Sequence, residues 1–153
     1  MQPKIIKCGK MQITGLTGDG NKTSAVWNEF DSRYKEKPFP KIDENGYEIR
    51  FFNKEKEGRD VHVGFSVEPG REIAGFDVIV IPASEYAVFE VLVANGYDSG
   101  NAKMDKWLAD NSNRLKCGEI DGAGFIMEVY GEKFKGGNQP DSIVEFWVPL
   151  IYH

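Results

Sequence analysis

The chain repeats part of itself at an interval of eighty residues, and that interval constrains its fold more than any other feature. Gly20-Asn21 is followed after five residues by Trp27, and Gly100-Asn101 after five residues by Trp107. Without a gap, the same interval lays Phe65, Val67 and Pro69 on Glu145, Trp147 and Pro149. A duplicated unit of this size predicts two similar halves about a pseudo-twofold axis, with a crease between them suited to a ligand. The copies disagree at Phe65 and Glu145. One half has a ring where the other has a carboxylate, inside the otherwise apolar run IVEFWVPL.

The order of elements supports the duplication. Residues Lys4 to Thr14 read as a strand, and the glycine-rich stretch 15–21 reads as a turn. Thr23 or Ser24 caps a helix to about Lys35, with Val26, Trp27, Phe30 and Tyr34 on its apolar side and Pro38 and Pro40 beyond its end. Tyr47 to Asn53 and Val61 to Glu68 form a strand pair closed by Pro69-Gly70. The second copy opens with strand from Phe76 to Val93, bent at Pro82-Ala83-Ser84. A helix from Ser99 or Asn101 through Asp110 presents Ala102, Met104, Trp107 and Leu108, and strands Phe125–Glu132 and Ile143–Ile151 follow. The expected fold is α+β: one domain over 1–153, with repeat one about 1–74 and repeat two about 75–153. Each repeat runs strand, helix, strand, strand. Together they build an antiparallel sheet with both helices on one face and the ligand crease on the other.

Alternation along the strands assigns the faces. Val144, Phe146, Val148 and Leu150 are the natural partners of the helices, which leaves Glu145 and Trp147 on the crease side. The repeat puts Val63, Phe65 and Val67 on the equivalent face of the first half, and Tyr130 is expected to point the same way as Glu145.

Composition narrows the partners. The 153 residues are 41% hydrophobic and include ten Phe, six Tyr and three Trp, which predicts a packed, aromatic-rich core. A net charge of −5 disfavours direct nucleic-acid binding, which needs clustered Lys and Arg. The run Lys54-Glu55-Lys56-Glu57 alternates in sign and reads as a solvated loop. Neither a signal peptide nor a membrane span is apparent, so a cytoplasmic location is expected. Cys8 and Cys117 match no metal spacing and have no nearby His in sequence, and His62 and His153 are poor catalytic candidates, so neither metal nor cofactor is expected.

The stretch FDVIVIPASEYAVFEV, a Gly-Asn turn into a helix with KWL, then FIMEVYG and IVEFWVPL, resembles the GyrI-like small-molecule-binding domain. That family also serves as the effector-binding domain of AraC-type and MerR-type bacterial transcription regulators. The resemblance covers nearly the whole chain and is most specific in IPA-x-x-YAVF and the terminal E-x-W-x-P strand. It implies paired strand-helix-strand-strand repeats around a pocket, with Glu145 at the position of the pocket glutamate that pairs with lipophilic cations in multidrug-sensing relatives. The chain departs from the family at Ala109, where a WLP motif is common, and it carries no helix-turn-helix segment, so a stand-alone module is expected.

Three functions are compatible with these residues. The leading expectation is binding of a hydrophobic, aromatic molecule, cationic ones included, by Tyr47, Phe65, Trp107, Tyr130 and Trp147, with Glu145 as charge partner. The second is hydrolysis of cyclopropane-containing DNA-alkylating compounds, as in some stand-alone relatives, with Glu145 and Tyr130 as the catalytic residues. The third is an interaction or inhibitor protein using the charged region Glu44 to Asp60. Under each of the three the chain is expected to be a monomer or homodimer.

Overall fold

The computed structural model describes residues 2–52 and 59–153. The strands are β1 (Lys4–Cys8), β2 (Met11–Gly18), β3 (Gly46–Phe51), β4 (Val61–Val67), β5 (Asp77–Ile81), β6 (Ser84–Leu92), β7 (Leu115–Cys117), β8 (Glu119–Ile120), β9 (Ala123–Tyr130) and β10 (Ile143–Tyr152). The helices are α1 (Thr23–Glu36) and α2 (Tyr97–Asp110). The run at 54–57 and the predicted strand end at 53 lie outside the described residues.

The sheet is antiparallel in the order β1-β6-β10-β9-β3-β4-β2-β5, with β7 on β10 and β8 on β9. The architecture is therefore the expected α+β one. The predicted first strand is broken at Gly9-Lys10, and its two pieces part company: β1 joins β6 of the second half, while β2 joins β4 and β5. The bend at Pro82-Ala83 likewise separates β5 from β6. Two strand-to-strand links thus tie each half to the other.

Both helices cover one face. Phe30 of α1 is fully buried among Phe65, Tyr34, Phe39 and Phe76, with ring centroids at 5.0, 6.0, 6.4 and 5.9 Å. Met104 of α2 is buried with Phe89, Val144, Phe146 and Val148. Gly100 lets α2 approach Val91 and Phe146, since a Cβ there would meet both side chains. The faces expected for the last strand are observed. Ala102, expected on the apolar side of α2, is exposed.

The opposite, concave face is closed by side chains. Tyr47, Ile49, Met127 and Val129 of the central strands share one cluster with Ile13 and Ile81 from one end of the sheet and Tyr86 and Val88 from the other. The sheet curls until its ends meet over its own centre, so the space expected for a ligand there is occupied by core.

The pseudo-twofold axis passes between β3 and β9, where Glu48 lies directly opposite Glu128, eighty residues apart. In the next strands out, Glu48 pairs with Val63 and Glu128 with Phe146, which are eighty-three apart. The symmetry mate of Glu145 is therefore His62, and that of Phe65 is Val148. A slip of three residues exchanges the faces of a strand. Phe65 accordingly packs under α1 while Glu145 faces away from the helices, which corrects the expectation that they share a side. Gly20-Asn21 precedes α1 in a short 3-10 turn, whereas Gly100-Asn101 lies inside α2. That match is one of letters, not of position.

Where β2 crosses β4, Gly15 lies opposite Gly64, and a Cβ on either would overlap the facing backbone. Gly15→Ala is expected to cost about 3 kcal/mol through this overlap. A urea denaturation midpoint unchanged by the substitution would contradict such close packing.

Candidate functional site

Between the two helices, on the face they cover, lies a cavity of about 520 Å³. Its lining includes Thr23, Trp27 and Asp31 of α1, Gly46, Glu48 and Arg50 of β3, Tyr97 at the start of α2, and Tyr130 and Phe134. The strands explain its floor. Gly46, Glu48 and Arg50 alternate onto the helix side of β3, and Glu128 and Tyr130 do the same on β9.

Glu48 and Glu128 are 2% and 4% exposed and face each other across the sheet. Two opposed, buried carboxylates repel, and removing both from water adds to the cost. Arg50 answers both. Its Nε donates to Glu48 Oε2 at 2.8 Å and to Glu128 Oε2 at 3.0 Å. The remaining oxygens are also engaged, because Trp27 Nε1 donates to Glu48 Oε1 at 2.8 Å and the Tyr130 hydroxyl to Glu128 Oε1 at 3.0 Å. With both carboxylates ionised the cluster holds one net negative charge. Arg50 is itself anchored by Nη2 on Thr23 Oγ1 at 2.8 Å and Nη1 on the Gly20 carbonyl at 3.4 Å.

Aromatic side chains form the walls. Trp27 meets Tyr130 edge-on at 6.0 Å, and Tyr130 meets Phe134 at 4.7 Å. Gly46 makes room for Trp27, since a Cβ there would lie 3.1 Å from the indole ring. Asp31 adds a carboxyl whose pKa burial pushes up while Lys35 draws it down. Burial and the Glu128 charge push the Tyr130 hydroxyl far above its ordinary value, so it remains a proton donor in the bond to Glu128.

Among the residues expected to form the site, the structure brings only Tyr130 to this cavity. Tyr130 points to the helix side, opposite to Glu145, because Glu145 pairs with Val129. Glu145 is half-buried on the other face and accepts from Trp147 Nε1 at 3.1 Å. Trp147 packs against Tyr86 in the concave cluster, and Tyr47 is buried there with its hydroxyl on Asp43. Phe65 lies in the core beneath α1, with Lys41 Nζ 4.1 Å from its ring centroid. Trp107 meets Phe89 edge-on and borders a separate shallow groove with Pro3, Ile5 and Tyr152. Among the described residues no cluster of His, Cys, Asp and Glu could hold a metal ion, and no helix is long and apolar enough to cross a membrane.

Glu48, Arg50 and Glu128 were not foreseen, yet the interval of eighty lays Glu48 on Glu128 and Arg50 on Tyr130. The informative mismatch lies on the axis itself, as a guanidinium in one half against a phenol in the other.

Burial and the facing Glu48 raise the Glu128 carboxyl to about 7, against the pull of Arg50. The folded protein therefore holds this proton more tightly than the unfolded chain, whose carboxyl titrates near 4.5. The stabilising contribution is complete below about pH 4.5 and is lost as pH rises through about 7. Denaturation midpoints measured across this window are expected to decline in the native protein and to decline less in Glu128→Gln. Parallel profiles would contradict the assignment.

No protein-family model matches the chain, and no curated protein sequence matches it. Solved structures do. SAV2435 bound to tetraphenylphosphonium aligns with a TM-score of 0.67 over 99% of this chain and 94% of that one, at 13% identity. A protein from Staphylococcus aureus MU50, described as a bacterial transcription regulation protein, aligns at 0.63 over 98% of each chain, at 15% identity. EcmrR, from its complex with DNA, aligns at 0.68 over 97% of this chain and 57% of that one, at 11% identity. Identities this low establish the fold alone. The chain shares the fold of these proteins, and that α+β fold fits the GyrI-like resemblance of its sequence.

Proposed function

We propose that this chain binds an aromatic, hydrophobic small molecule bearing a delocalised positive charge, in the cavity between α1, α2 and the central strands. The observation that carries this reading is the net negative Glu48–Arg50–Glu128 cluster beneath walls of Trp27, Tyr97, Tyr130 and Phe134. Rings attract a cation through their negative faces, and a shielded carboxylate cluster adds a charge attraction that little water screens. The volume of about 520 Å³ lies within the range of drug-sized ligand pockets. The tetraphenylphosphonium carried by SAV2435, a protein of the same fold, supports the same ligand class. The charge partner is Glu128 with Glu48, in place of the Glu145 expected from sequence.

A hydrolytic reading has one specific observation behind it. Glu128 titrates near neutrality and is bonded to Tyr130, which suits proton transfer at ordinary pH. In that reading Glu128 takes the catalytic role first given to Glu145, on a strained, planar substrate held by the rings. Turnover of a cyclopropane-containing alkylating compound, lost in Glu128→Gln while binding persists, would support it. Binding with no turnover would leave the chain an effector-binding module.

Calorimetry at pH 8 with tetraphenylphosphonium and the neutral triphenylphosphine oxide tests the binding reading. Glu128→Gln is expected to weaken the cation roughly tenfold and the oxide less than about twofold. Equal losses would remove the counter-ion role, and no binding of either compound to the native protein would contradict the pocket.

A further inference from the structure

The cavity floor already contains a cation. Arg50 is one-third exposed, and its guanidinium is held by four acceptors: Glu48 Oε2, Glu128 Oε2, Thr23 Oγ1 and the Gly20 carbonyl. These come from β3, β9, α1 and the turn before it, so the cage is a product of the tertiary fold. Its acceptors suit a planar group rich in N–H donors. The pseudo-symmetry gives the cage only one arginine, since the position on β9 equivalent to Arg50 is Tyr130.

We propose that Arg50 is the resident occupant of the pocket's cation subsite, and that the ligands this subsite accepts are planar N–H-bearing aromatic cations, amidines or guanidines, which bind by exchanging with it. The proposal rests on the cavity being the ligand site and adds to it a specificity-determining residue and a narrower ligand class. A quaternary phosphonium has no N–H group and cannot satisfy the four acceptors. It responds to the ring walls and to the net charge of the cluster, without a hydrogen bond to the cage. An aromatic amidinium reproduces the fork of Arg50 and carries its own ring into the space bounded by Trp27 and Tyr130. In the native protein such a ligand competes with a side chain tethered beside the site, and its apparent affinity is reduced by the fraction of time that Arg50 holds the cage. Polar groups left unpaired by a ligand lacking N–H donors supply the discrimination.

The test compares 4-phenylbenzamidine with tetraphenylphosphonium at pH 8 in the native protein, Arg50→Met and Arg50→Lys. Arg50→Met is expected to bind the amidine at least about tenfold more tightly than the native protein, a gain clearly larger than that for the phosphonium. Arg50→Lys is expected to gain less than Arg50→Met, because its ammonium keeps the positive charge in the cage but brings only three donors to four acceptors. Since Arg50→Met leaves two opposed carboxylates without a counter-ion, the double variant Arg50→Met/Glu128→Gln keeps the net charge of the native cluster and decides the matter if the single variant does not fold. A selective gain for the amidine in that background supports exchange. An equal gain for both cations, or none for the amidine, overturns it. If the native protein binds no phosphonium but the variants bind the amidine, the broader reading fails while this one stands.

Discussion

The opposition of Glu48 and Glu128 is the constraint around which the rest of this structure is arranged. A duplicated fold places equivalent residues face to face wherever its axis crosses the sheet, and here those residues are two carboxylates. Left alone they would repel in a desolvated place. Arg50 sets its guanidinium between them, Trp27 and Tyr130 take the oxygens that Arg50 does not, and with both carboxylates ionised the cluster keeps one negative charge at the bottom of a cavity. The N-terminal half of α1 is drawn in by the same bonds, through Trp27 and Thr23.

The helix side and the concave side divide the labour. The concave side is closed, because the curl of the sheet gathers Ile13, Ile81, Tyr86 and Val88 over the central strands and excludes water. The helix side is packed beneath each helix but not between them, since the two helices cover separate halves. The gap falls on the axis, and there the sequence supplies charge and rings instead of aliphatic side chains. Duplication thus creates the space, and divergence between the copies gives it chemistry, with Arg50 in one half and Tyr130 in the other.

Much of the fold was legible in the sequence. The order of elements, the helices with Phe30 and Met104 inward, the bend at Pro82 and the two faces of the last strand all follow from local periodicity and turn chemistry. The pairing of β1 with β6 was not legible, because the swap of two edge strands leaves no local trace. The candidate site was legible only in part. The interval of eighty holds in β3 and β9, where it joins Glu48 to Glu128, but β10 is offset by three residues more, and so small a difference turns Glu145 to the face opposite the cavity. Carboxylates flanked by apolar neighbours, as in YEIRF and FIMEVY, read alone as solvated positions. Only cross-strand pairing shows that they meet.

The three tryptophans report on three separate places: Trp27 in the cavity, Trp147 on the concave face beside Glu145, and Trp107 on the outer groove of α2. Their indole N–H resonances, followed by NMR while tetraphenylphosphonium is added, test the location of the site most directly. The account predicts that the Trp27 signal, whose N–H is bonded to Glu48, shifts saturably while those of Trp147 and Trp107 stay in place. A saturable shift of Trp147 with Trp27 unmoved would contradict it and return the site to Glu145.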